Sequence, residues 1–487
     1  MNIKKISVVG SGTAGFVSAL LLKTAYPTLD IDVISSKQIG IIGVGEGSTE
    51  SWNSFMRITG MDLVGLIRKT DATFKSGIMF RGWTDEDWIH SVMSPYSNSN
   101  GQYSYIYAKL ISEGASPQQM SSKLWWSSKL EKKYLDEAGS YSPVNQYHFN
   151  AAKLNDFLTD FAKQKGINII EDEIKDVLVN SENNISELIG EQRNYKSDFY
   201  IDCTGFKKLL ISKLGAKWKS HGEYLKMKSA ITFSTETVHN FDMWTVAKAM
   251  DYGWMFTIPT WGRTGNGYIF DSDYIDKDKA KEEVEKLLGK EIEVNKHFNF
   301  DPGALDRSWI NNCVAIGLSS SFIEPLEATS IGTSIQQAVI LVNKIINYNQ
   351  KAIDMYNKSI DSIIENIRDY IALHYITKKT NSQFWKDVQH IKLPDSLQAN
   401  LELWRYKLPV REDFRFASEH TLFKDVNYIV AMHGLGLFDK NSIRKEYEMN
   451  PINLRLQTDE FMAKHEIDLS KAASVTHRQV IERFRVL

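Results

Sequence analysis

The sequence predicts a mixed α/β protein: a Rossmann-like domain at the N-terminus, an added β-sheet and a mainly helical C-terminal part. Glycines Gly10, Gly12 and Gly15 lie directly between an apolar strand-like run and a helical one. Strand-like runs then cluster between 167 and 203 and again between 229 and 272. From about residue 346 to Leu487 the pattern is helical and rich in aromatics, without internal repeat or low-complexity segment.

In chain order, KKISVV (4–9) reads as a buried strand, Gly10 to Gly15 as a tight turn, Ala14 to Lys23 as a helix and DIDVIS (30–35) as a second strand, which together open a βαβ unit. Residues 151–165 carry apolar positions at helical spacing and stop at Gly166. INIIED, IKDVLVN, ISELIG and DFYIDC follow as strands, then SAITFSTE, WMFTIP and GYIFDS as a second group. VAIGLS leads into FIEPLEATSIG and a helix near 330–348. The expected division is a core over 1–345 with β-rich insertions, the strands of 229–272 among them, and a helical region over 346–487.

With 58 basic and 60 acidic side chains the 487-residue chain has a net charge of −2, which argues against nucleic acid and an anionic membrane as partners. Cys203 and Cys313 are the only cysteines, too few and too far apart for a disulfide framework or a cysteine metal site. No H-x-x-H or H-E-x-x-H spacing points to a metal. Two lysines before the first apolar run imitate a signal peptide, but glycines interrupt that run, and no stretch of about 20 apolar residues follows. A cytoplasmic protein, with a homo-oligomer possible, is the expectation. The twelve tryptophans are read mainly as core, with some free to stack on a ligand.

In G-x-G-x-x-G the first glycine permits the turn, the second lets backbone approach a pyrophosphate and the third packs helix on strand; Thr13 and Ala14 open the helix between them. The alternative is a glycine turn that only packs. An acidic residue normally ends the second strand and binds a ribose, yet Ser35 and Ser36 stand there. DCTG, Asp202 to Gly205, closes a later strand, as where a sheet returns to a dinucleotide. One glycine motif with a long return segment and no second nucleotide fold favours FAD over NAD, in a domain of the glutathione-reductase/hydroxylase type.

FIEPLEATSIG places Glu324 and Glu327 around Pro325 and opens a helix at Thr329 and Ser330. Carboxylates there serve either as ordinary capping chemistry or as acid–base groups beside N–H donors that hold an anion. Glu324 is read as structural, as is His148.

Seven segments in order, IGVGEGSTE (42–50), ATFKSGIMFRGW (72–83), YHFNAAKLNDFL (147–158), DCTGFKKLLI (202–211), GWMFTIP (253–259), RTGNGYIF (263–270) and CVAIGLSSSFIEPLEATSIG (313–332), resemble the flavin-dependent tryptophan halogenases. FWKDV and LPDSL extend the likeness toward the C-terminus. The resemblance implies that FADH2 from a separate flavin reductase reacts with O2, and that a bound halide becomes hypohalous acid, which passes through a tunnel to a lysine. By motif match, that lysine is Lys75 and its glutamate Glu327, with the halide at the N–H groups of Thr329 and Ser330. Gly45, Glu46, Ser48 and Ile331 join the cofactor residues, and Trp254, Phe256 and Pro259 belong to the tunnel and substrate side.

The implied substrate is a small electron-rich aromatic, an indole or tryptophan-like molecule or a broader range. Phe256 stands where the family's second tryptophan is usual, Ala328 replaces a common serine and Ser330 a common glycine. A flavin monooxygenase that inserts oxygen would need neither Lys75 nor Glu327. A non-catalytic flavin-binding protein is the rival from another class.

Overall fold

The computed structural model describes residues 3–36, 45–91, 103–140, 142–414 and 419–487. The Ile42, Gly43 and Val44 part of the IGVGEGSTE motif lies outside them. Lys5–Val9 and Asp30–Ser35 pair in parallel, as alternating β-branched and apolar side chains buried on both faces require. They lie inside a six-stranded sheet ordered Trp309–Ile310, Cys313–Ala315, Phe199–Asp202, Lys5–Val9, Asp30–Ser35, Asn168–Glu171. All its pairings are parallel except the outer hairpin of Trp309–Ile310 with Cys313–Ala315. Thr13–Ala25 and Ala151–Gln164 are helices close to the expected bounds. This is the mixed α/β fold expected, with a Rossmann-like nucleotide sheet and helices over the C-terminal part.

The second sheet has seven strands in the order Val294–Asn299, Ser229–Thr235, Thr264–Phe270, Gly253–Pro259, Trp244–Met250, Gly77–Arg81, Trp88–Ser91. Four of these were not expected as strands. Gly77–Arg81 and Trp88–Ser91 are fully buried runs or nearly so, lacking the polar alternation that marks a strand in sequence. Gly77 is obligatory in that pairing, because a Cβ there would lie 2.5 Å from the His90 carbonyl oxygen.

The helix that opens at Thr329 ends at Val342 rather than near 348. Asn347 takes the left-handed conformation at φ +53°, and the Asn349 side chain then caps a new 25-residue helix, Gln350–His374, by accepting from Ala352 N at 3.0 Å. One apolar cluster runs from Ile6 through Trp385 to Phe484, and eight tryptophans are fully buried. Among the described residues no helix is long and apolar enough to cross a membrane.

Candidate active site

A cavity of about 620 Å³ opens at the carboxyl ends of Lys5–Val9 and Asp30–Ser35 and extends beneath the second sheet. The glycine turn lines it. Gly10 has φ +112° and no room for a Cβ beside the Cys203 carbonyl, while Gly15 packs on Gly10. Gly12 precedes the helix Thr13–Ala25 with no side-chain cap, so the first N–H groups face the cavity beside Thr13 and Ala14. Ser35, Gly45, Glu46, Gly205, Phe256, Thr329, Ser330 and Ile331 also line it.

Other expected cofactor residues stand outside. Gly15 and Ser48 are behind the wall. Asp202 does not line the cavity: its carboxylate accepts from Thr204 N and Oγ1, from Leu210 N and Ile211 N, and from Ser319 Oγ. It shapes the loop whose Cys203, Thr204 and Gly205 do reach the cavity. Near Ser35 the wall is completed by Asp172 and Glu173 from the end of the neighbouring strand.

Size, an uncapped helix start and close-approach glycines together fit a dinucleotide such as FAD. Glu46 lines the cavity, and lost hydration pushes its carboxyl up to about 7, against the pull of Thr13 Oγ1 at 3.4 Å.

The second uncapped helix start is Thr329–Val342. Ala328 before it has φ +54°, a conformation costly for a residue with a Cβ, and no side chain caps the first turn. The leading N–H groups have no intrahelical acceptor, and Thr329 and Ser330, whose carbonyls accept from the Thr333 and Ser334 hydroxyls, line the cavity. Two backbone donors beside a positive helix end can hold a halide. The Ser330 side chain is exposed toward the same space.

Lys75 ends the short strand Thr73–Lys75 and is 1% exposed. Its Nζ donates to the Ser48 carbonyl at 2.9 Å. Desolvation lowers its pKa to about 8, opposed by the charges of Glu327 and Glu50.

Glu327, 4% exposed, ends the 3₁₀ turn Pro325–Glu327. Its Oε2 accepts from His90 Nδ1 at 2.7 Å, and Asn427 Nδ2 lies 3.0 Å from His90 Nε2. His374 Nε2 lies 2.9 Å from Oε1, close but outside hydrogen-bond alignment, while its Nδ1 donates to the Tyr370 carbonyl at 2.7 Å. Burial pushes the Glu327 carboxyl up, but the charge of His90 and the contacts of both histidines outweigh it, bringing the pKa down to about 2. The group is therefore a carboxylate across the neutral range.

His90 and His374 escaped the sequence reading. A histidine alone in WIHS or in ALHY carries no spacing signal, and only the fold brings the two together.

Glu324 is wholly buried, accepts from the Tyr375 hydroxyl, and is pushed up to about 8 by desolvation. Trp254 and Pro259 lie within the second sheet rather than on the cavity. Phe256 does reach it, its ring lying on Gly267, where any Cβ would overlap the ring.

A glycine-turn cavity of dinucleotide size, a second uncapped helix start on its wall and a buried lysine and glutamate on one scaffold fit the class of flavin-dependent halogenases, enzymes of the oxidoreductase type. Residues 5–449 match the family described as tryptophan halogenase, and the chain belongs to that family. The 7-chloro-L-tryptophan 6-halogenase KtzR of Kutzneria sp. (strain 744) is 31% identical over 450 residues, 83% of this chain and 86% of the relative. The tryptophan 7-halogenase RebH of Lentzea aerocolonigenes is 28% identical over 482 residues, 90% of each chain. The crystal structure of a tryptophan halogenase from Shewanella frigidimarina superposes with TM-score 0.89 at 26% identity, covering 100% of this chain and 98% of that one. Xcc4156, a flavin-dependent halogenase from Xanthomonas campestris, has TM-score 0.86 at 28% identity and 99% coverage of both. Membership implies FAD as the cofactor, and the family in general draws on a separate flavin reductase.

Proposed function

We infer that this protein halogenates a small electron-rich aromatic substrate, an indole or a related ring, with hypohalous acid delivered to Lys75. The observation that carries this is a fully buried ammonium, beside the wall of the cofactor cavity, within electrostatic reach of the Glu327 carboxylate. FADH2 bound in the cavity supplies, with O2, the two-electron oxidation of halide to hypohalous acid.

The chain's residues do the rest. N–H groups at Thr329 and Ser330 hold the halide facing the cavity. Lys75, tethered to the Ser48 carbonyl, keeps N–H bonds free to orient the oxygen of HO–X. The aromatic carbon then takes X; the X–O bond breaks, and the oxygen leaves as water with a proton from the ammonium. The ring loses its C–H proton to Glu327, which returns a proton to Lys75, so the pair ends as it began. A cationic ring intermediate is a strong acid, so even a carboxylate with a pKa of about 2 accepts its proton. An oxygen-inserting monooxygenase has no use for this pair.

The test is mass spectrometry of products from an indole and phenol panel with FAD, a flavin reductase, NADH and O2 in chloride, bromide and iodide. Wild type is expected to yield halogen-shifted products. Lys75→Ala should lose them while still forming hypohalous acid, and Glu327→Gln should slow them about 10²-fold, the scale of a lost general base. Oxygenated products without halogen would overturn the assignment.

A further inference from the structure

The helix Thr329–Val342 is reached through a turn that is met at both ends by one distant helix. Glu324 and Glu327 flank this turn, Pro325–Glu327, which closes on itself as Ala328 N donates to the Pro325 carbonyl at 3.0 Å. Tyr375 donates its hydroxyl to Glu324 Oε1, and His374 Nε2 lies 2.9 Å from Glu327 Oε1. Two consecutive residues at the end of Gln350–His374 thus meet both carboxylates, and both carboxylates are buried. Glu324 Oε2 has no aligned donor, so the Tyr375 hydroxyl carries the pairing of that carboxyl. Tyr375 is itself packed on Trp83 and Trp385, with ring centroids 5.7 and 6.3 Å away.

What lies between these contacts and the helix is strained. Ala328 stands at φ +54° and ψ +38°, a left-handed conformation that a residue with a Cβ adopts at a cost and keeps only where its surroundings fix it. The helix starts from that residue without a side-chain cap, so the direction of its first N–H groups follows from the Ala328 backbone.

We propose that Tyr375 is a positioning residue for the halide: through Glu324 it holds Ala328 in the left-handed conformation that aims the Thr329 and Ser330 N–H groups into the cavity. This rests on the halogenase assignment above. A phenol that neither lines the cavity nor touches Thr329 or Ser330 then governs how well an anion is bound there. Loss of its hydroxyl leaves Glu324 a buried carboxyl with no aligned donor, the carboxyl shifts to find one, and the strained residue four positions on relaxes.

The experiment compares wild type, Tyr375→Phe, Ala328→Gly and Tyr375→Phe/Ala328→Gly, each supplied with FADH2 and O2. Hypohalous acid, trapped by monochlorodimedone, is measured against chloride and bromide concentration, alongside the melting temperature and FAD binding by flavin fluorescence. In Tyr375→Phe the halide KM should rise about tenfold, the scale of one buried group left unpaired, with kcat and FAD affinity changing far less. Glycine takes the left-handed conformation freely, so in the Ala328→Gly background removal of the phenol should move the halide KM by only about twofold. A lowered melting temperature with an unchanged halide KM would mean that Tyr375 only packs the helix end. An equal rise with and without the Ala328 methyl would mean that the conformation of Ala328 is not what it holds; either result overturns the proposal. A wild type that binds FAD but oxidises neither halide would instead sink the halogenase assignment itself, and the positioning role with it.

Discussion

Lys75 and Glu327 sit in opposite electrostatic balances. Around Lys75 desolvation wins over two nearby carboxylates, whereas around Glu327 two histidines win over desolvation. With its pKa at about 8, Lys75 is an ammonium below that value and loses a donor proton above it. The rate of halogenated product should therefore fall as pH rises through about 8, while hypohalous acid formation does not follow the same curve; parallel pH profiles would remove Lys75 from the product-forming step. The sign for stability is opposite. The unfolded lysine, near its ordinary 10.5, binds a proton that the folded one has released between about 8 and 10.5, so this group makes the fold relatively more stable as pH rises through that window. At this scale the sequence was informative where a residue sits in a motif, as Lys75 and Glu327 do. It was silent on His90 and His374, whose roles depend on what faces them, and misleading on Asp202, whose motif reaches the cavity only through its neighbours.

The elements that carry these groups are short or capped by polar side chains. Thr73–Lys75 spans only three residues, and its register is held by pairing Thr73 with His148, Phe74 with Tyr147 and Lys75 with Gln146. His148, wholly buried, lies 2.9 Å from Thr245 Oγ1 through Nε2. His374 arrives at the far end of Gln350–His374, a helix begun by the Asn349 cap. Asn349→Ala should cost about 1 kcal/mol in urea unfolding with little change in activity, since the cap lies 25 residues from His374 at the other end of the helix. A larger loss of activity than of stability would show that the cap sets the His374 position. The strands Lys5–Val9 and Asp30–Ser35 and the helices Thr13–Ala25 and Ala151–Gln164 were legible in the sequence to within two residues. Trp88–Ser91 was not, because without alternation a short apolar run does not declare its partner.

Across the whole molecule the C-terminus returns to the lysine strand. Ser474–Thr476 pairs with Lys129–Glu131, and the helix His477–Val486 follows. His477 Nε2 accepts from Phe74 N at 3.1 Å across 403 residues of chain, its pKa brought down to about 3 by burial, so it stays a neutral acceptor. Phe484 packs edge-on against Phe74. Deleting residues 474–487 should leave halide oxidation at the cavity largely in place while product formation drops sharply, as the strand before Lys75 loses its acceptor and its cover; equal loss of both, measured with the same trap and product assay, would show that the segment supports the entire fold instead. By itself the sequence determined the nucleotide sheet and the glycine turn, and singled out the lysine and glutamate proposed for catalysis, because these follow from local conformation and from short motifs. Only the tertiary structure decided that Glu327 accepts from His90, 237 positions away, with His374 close beside it, that Asp202 serves its own loop, and that the backbone at Gly47 lies beside Lys75. Those relations arise from packing between segments distant in the chain, and no local pattern of residue types encodes which distant side chain fills the space opposite.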